Sequence, residues 1–198
     1  MSARRIVVER PIADEFTRKL AEKTKALKAG DPKEQDTIIG PLISEDAVAT
    51  VKSRVDDAVA KGAKLLAGGE VDGSVISATL LTDVPRDSDL AQVETFGPVT
   101  LIEVVADEDE AVARANDTPY GLSAGIITSD TDRGLALARQ IESGIVHVND
   151  QTVADEPQMP FGGVKGSGFG RFGGSAAIHE FTEVHWVTVK GSPHPFPF

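Results

Sequence analysis

Val99-Thr100-Leu101-Ile102-Glu103-Val104-Val105 opens the stretch that decides the fold. Glu103 is the only charged residue in this largely apolar run. A helical segment follows at 108–115, a second apolar run at 122–128, a second helical segment at 130–142 and a third apolar run at 144–149. Leu135, Leu137, Ala138 and Ile141 supply the apolar side of the later helix. Strands that are apolar throughout, alternating with helices, predict parallel pairing through helical crossovers. The expected class is α/β, a layered domain built on a parallel sheet.

On the N-terminal side, the β-branched run at 4–9 predicts a strand, and Pro11 suits the first turn of a helix because its missing N–H costs nothing there. Ile12, Phe16, Leu20 and Leu27 recur at near-helical spacing until Gly30 and Pro32 stop the pattern. Ser44 reads as an N-cap, with Glu45 and Asp46 near the positive helix end. Val48, Val51, Val55 and Val59 form one stripe ended by Gly62, and residues 63–67 predict a buried strand closed by Gly68-Gly69.

On the C-terminal side, residues 150–172 are rich in Gly and Pro and too long for a simple connector, which points to a functional loop. Residues 181–190, which begin at Phe181 and end at Lys190, alternate well enough to be a strand. Such a strand would stand apart from the main sheet and need a partner, often another subunit. The tail 191–198 reads as extended and docked, because Phe196 and Phe198 suit free solvent poorly.

The chain of 198 residues suffices for one good core, or one domain with an appendage. Its net charge of −11 repels phosphate backbones, which argues against nucleic acid as a partner. No apolar stretch is long enough for a membrane helix, and no secretory pattern opens the chain, so a cytoplasmic protein without membrane association is expected. The sequence contains no cysteine, which excludes disulfides, thiolate metal sites and a thiol nucleophile within these residues. His147, His179, His185 and His194 show no metal-ligand spacing, so no metal site is expected. Asn116-Asp117-Thr118 reads as a turn before Pro119, and Trp186 as a packing or interface residue.

Two clusters carry possible chemistry. Glu94-Thr95-Phe96-Gly97-Pro98-Val99 offers a carboxylate, an aromatic face and a rigid turn where a strand begins. The carboxylate could accept ribose hydroxyls while the ring packs beside a flat cofactor; equally, Gly97 and Pro98 could simply set a bend. The second cluster runs from Met159 through Phe161 and Lys165 to Arg171. Its mixture of glycines, aromatics and cations suggests a specific path, with a flexible surface loop as the alternative. Gly168, Gly170 and Gly173 fit the spacing of a dinucleotide fingerprint, but neither a directly preceding strand nor a later acid supports it.

Taken in order, these segments resemble the NAD(P)-dependent aldehyde dehydrogenase superfamily. The resemblance rests on 30–32, 39–43, Glu94 to Val99, Asn116 with Tyr120-Gly121-Leu122, the run 143–149, and Pro160-Phe161-Gly162-Gly163 with Lys165, Ser167-Gly168 and Gly170-Arg171. Residues 155–160 and 171–174 look most like bacterial salicylaldehyde, vanillin and benzaldehyde dehydrogenases.

The resemblance implies residues 1–175 as part of a catalytic domain and 176–198 as an oligomerisation strand and tail, with the Rossmann NAD domain absent. It implies homo-oligomers formed through 181–190. Glu94 would hold the nicotinamide ribose and Phe96 would pack beside the nicotinamide; Asn149, the loop 150–160 and Phe161 would line the substrate side. No catalytic residue is assigned. By the same alignment Met1-Ser2-Ala3-Arg4 follows the family's nucleophilic cysteine, which would stand immediately before Met1. The expected chemistry is NAD- or NADP-dependent oxidation of an aldehyde through thiolate attack, with no cofactor bound by this chain alone. The chain is then a fragment, an interaction module for complete subunits, or half of a split enzyme. It is expected to be inactive and poorly soluble by itself.

Overall fold

The computed structural model describes residues 3–192 and 195. Met1 and Ser2 of the resemblance, together with His194, Phe196 and Phe198, lie outside the described residues. In chain order the elements are β1 (Arg5–Glu9), α1 (Arg10–Lys25), α2 (Glu45–Ala60), β2 (Lys64–Ala67), β3 (Val71–Asp72), β4 (Val75–Ile76), β5 (Thr79–Thr82), α3 (Asp89–Gln92), β6 (Val99–Val105), α4 (Glu108–Asn116), β7 (Tyr120–Gly121), β8 (Ser123–Ile126), α5 (Thr131–Ala138), β9 (Ile145–Val148), β10 (Val164–Lys165) and α6 (Gly174–Glu180).

The main sheet has the order β1-β6-β5-β2. Strands β1 and β5 run parallel to β6, whereas β2 is antiparallel to β5. The sheet is therefore mixed, which corrects the expectation of a purely parallel one. The physical reason is the link from β2 to β5, which carries only the β3–β4 hairpin; without a crossover helix, sequential neighbours pair antiparallel.

Successive side chains of the sheet face opposite layers. Leu81, Leu101 and Val99 join Val48, Val51, Val55 and Ala58 of α2 in one core. Leu80, Ile102 and Val8 join Ala13 and Ala67 in the other, against α1. Helices on both faces explain why the β5 and β6 strands read as continuous apolar runs. In α2, Ser44 accepts the N–H of Ala47, as its N-cap reading predicts. Ala58, rather than the exposed Val59, completes the buried stripe.

The sequence predicts that β6, β8 and β9 share a sheet. Instead β8 and β9 form a separate parallel pair. Both edges of β6 are already occupied, by β1 and β5, so no further strand can join it. Helix α5 also stops at Ala138, short of the predicted end. Gln140 and Ile141 donate to carbonyls three residues back, and the Asn116 side chain takes the N–H of Glu142 and donates to the Gln140 carbonyl. Tertiary hydrogen bonds thus replace the last helical turn.

The expected strand at 181–190 is absent: among the described residues this segment joins no ladder. A strand is defined by its neighbour, and nothing in one chain lies beside these residues to pair them. Val184 is fully exposed, and Trp186 and Val189 are 86% and 91% exposed. Phe169, Phe181 and Ile178 extend the uncovered apolar surface. Surface of this kind drives association. The purified chain is expected to elute as self-associated species in size-exclusion chromatography with light scattering. A monodisperse monomer with a sharp cooperative melt would contradict that expectation.

Among the described residues no helix is long and apolar enough to cross a membrane, and no group of three or more His, Cys, Asp or Glu could hold a metal ion.

Candidate functional site

The turn between α3 and β6 is the most distinctive local structure. Thr95 points inward and is buried, while Glu94 and Phe96 on either side are exposed. The Phe96 ring is 78% exposed, and its backbone has φ of 51°. A left-handed conformation costs a residue with a Cβ about 1–2 kcal/mol. An aromatic residue held there, with its ring in solvent, is strain of the kind found at functional sites. Gly97 lets the turn settle on α2, because a Cβ at that position would lie 2.8 Å from a methyl of Val51. The Thr95 hydroxyl is buried with no hydrogen-bond partner.

Side chains from three elements grip the backbone of this turn. Arg4, immediately before β1, donates from its two terminal nitrogens to the carbonyls of Val93 (2.6 Å) and Ala91 (2.9 Å). Arg54 of α2 donates to the carbonyl of Glu94 at 2.8 Å. The Glu94 N–H makes a long contact of 3.4 Å to the Tyr120 hydroxyl. Partial burial, and then the neighbouring Arg5 cation, lower the pKa of Arg4; Tyr120, Glu94 and Glu103 act in the opposite sense.

Sequence reasoning missed Arg4 and Arg54. One signal was available for Arg54. It sits among Val51, Val55 and Ala58 on the buried side of α2, where a cation needs a partner.

Tyr120 connects this turn to the glycine-rich loop. Strands β7 and β10 pair Tyr120 with Lys165 and Gly121 with Val164. Gly144 donates to the Gly121 carbonyl at 3.0 Å. The backbone of Gly162 passes so close to Gly144 that a Cβ there would lie 1.8 Å from the Gly162 oxygen. Phe161 is half-buried and exchanges two backbone hydrogen bonds of 2.7 Å with Phe172. Arg171 donates to the carbonyls of Gly163 and Gly170, so the loop follows a fixed path rather than a slack one. Glu94, Phe96 and Phe161 are thereby linked to the N-terminal end of the β8–β9 pair.

Asn149 lies at the other end of β9, roughly 16 Å along the strand from Gly144. Its φ is 61°, and its side-chain oxygen accepts the N–H of Thr128 at 2.8 Å. The chain then runs back along β8, where the Ser123 hydroxyl donates to the Thr152 carbonyl at 2.9 Å.

The aldehyde dehydrogenase family model matches residues 1–187. A vanillin dehydrogenase of Pseudomonas fluorescens is 46% identical over 197 residues, covering the whole chain and 41% of that protein. The crystal structure of a salicylaldehyde dehydrogenase from Pseudomonas putida G7, complexed with salicylaldehyde, superposes with a TM-score of 0.93 at 44% identity, over 98% of this chain and 40% of that one. An aldehyde dehydrogenase of Mycobacterium tuberculosis complexed with NAD+ gives 0.85 at 35% identity, over 91% of this chain and 38% of that one. The chain therefore spans about two fifths of the length of the curated relatives it matches. The α/β architecture, the ordered motifs and these likenesses agree: the chain belongs to the aldehyde dehydrogenase family.

Proposed function

We propose that these 198 residues form the nicotinamide-side part of a catalytic domain that oxidises aromatic aldehydes to carboxylic acids. The observation that carries the reading is the gripped turn with an exposed carboxylate and, two residues on, an exposed aromatic side chain on a strained backbone. Glu94 accepts hydrogen bonds from the nicotinamide ribose, and the Phe96 ring packs beside the nicotinamide. Both side chains fit such a group, because they are free at the surface while their backbone is fixed. NAD or NADP, when bound, supplies the hydride acceptor. The substrate side extends along the β8–β9 pair, from Phe161 at one end, with the loop 150–160, to Asn149 at the other, roughly 16 Å along the strand. The preference for an aromatic aldehyde is supported by the identity to the vanillin and salicylaldehyde enzymes.

The residues present orient the cofactor and line the pocket, but none supplies a thiol, because the sequence has no cysteine. The nucleophile and the cofactor-binding domain belong to polypeptide outside these residues, joined to them or supplied by another chain. Oligomers form through 181–190, whose unpaired backbone would gain a ladder beside a second strand.

The test is an NADH absorbance assay with benzaldehyde, salicylaldehyde and vanillin. The pure chain is expected to give no turnover. Activity is expected when the chain is joined to, or mixed with, a family segment that carries the cysteine and the cofactor domain. Turnover by the pure chain would overturn the reading.

A further inference from the structure

The grip on the Glu94–Phe96 turn comes from side chains far away in sequence. Arg4 reaches across 89 residues to Val93, and Arg54 across 40 residues to Glu94. Both bonds end on backbone carbonyls, so they act on the path of the turn and leave the Glu94 carboxylate and Phe96 ring free. Left alone, the unfavourable φ of Phe96 would relax and swing both side chains. Gly97 anchors one side of the turn on Val51 of α2, and Arg54 of the same helix holds the other side.

We propose that Arg4 and Arg54 are positioning residues for cofactor binding: together they hold the turn in the conformation that presents Glu94 and Phe96 to the nicotinamide riboside. The proposal rests on the reading of that pair given above. The two arginines differ in what can replace them. Arg4 spans two carbonyls with the fork of its guanidinium, and the single amine of a lysine cannot span both. Arg54 makes one bond, which a lysine can reproduce.

The experiment has two readouts. In the 198-residue chain, amide hydrogen exchange at Val93 and Glu94, whose N–H groups donate to the Asp89 carbonyl and the Tyr120 hydroxyl, is expected to quicken about tenfold in Arg4→Ala, Arg4→Lys and Arg54→Ala, and to stay near the parent rate in Arg54→Lys. Amides of β5 and β6 should be unchanged, which separates loosening of the turn from unfolding. In the active assembly described above, the KM for the nicotinamide cofactor is expected to rise about tenfold in the same three variants, with the aldehyde KM unchanged. Parent-like exchange at Val93 and Glu94 in both alanine variants overturns the proposal. So does an unchanged cofactor KM in both. Glu94→Gln serves as the reference: if it raises the cofactor KM while the arginine variants do not, only the positioning role fails. If Glu94→Gln also leaves that KM unchanged, the role given to Glu94 fails with it.

Discussion

Gly144→Ala is expected to lower stability by about 3 kcal/mol, the upper end of the cost of overpacking. An added Cβ would lie 1.8 Å from the Gly162 carbonyl oxygen and 2.8 Å from its carbon, far inside van der Waals contact. Both neighbours are backbone, so no rotamer change relieves the overlap. The Gly162 segment cannot retreat freely either. It is held by the Phe161–Phe172 bridge on one side and by Arg171 on the other. The damage should therefore separate the glycine-rich loop from the start of β9 and carry Phe161 with it. Denaturant midpoints measure the loss. Gly191→Ala is the control, because nothing lies within 4 Å of its added Cβ, and it should change stability by less than about 0.5 kcal/mol. Equal midpoints for the two variants would show that the crossing at Gly144 is not a tight one.

Glu103→Gln is expected to cost about 3 kcal/mol. One oxygen of Glu103 accepts from Arg5 at 2.6 Å and the other pairs with Arg114; the three side chains are only 12–15% exposed. Arg5 also donates to the carbonyls of Arg114 and Asp117, at 2.8 and 3.1 Å. Removing the Glu103 carboxylate leaves Arg5 without a carboxylate partner and Arg114 with only the half-exposed Asp117 at 3.2 Å, the two guanidinium groups close together with little water to screen them. Breaking a buried ion pair from one side typically costs about 3–5 kcal/mol, and the remaining exposure here argues for the lower end. This network ties β1, β6 and α4 together, so the loss should appear as a lower midpoint of the whole transition. Asp56→Ala removes the exposed pair with Lys52 and should cost less than about 0.5 kcal/mol. A Glu103→Gln midpoint as little changed as that of Asp56→Ala would refute the argument.

The sequence alone determined the α/β class, most element positions and the family motifs. These are local properties. The period of apolar residues reports burial on one face or two, Ser44 offers a cap wherever a helix follows, and Glu94 to Val99 carries its residue types in order. It could not determine which strands share a sheet, because β8 and β9 look as buried in sequence as β6 does. Only the tertiary structure shows it: β1 and β5 take both sides of β6, and β8 and β9 pair with each other in a separate sheet. Glu103 read as an interruption of an apolar run, and only the approach of Arg5 and Arg114 gives it partners. The antiparallel β2, the early end of α5 and the grip of Arg4 and Arg54 on the Glu94 turn have the same origin: their partners lie 13 to 89 residues away, and no pattern in a short window encodes a bond across that distance.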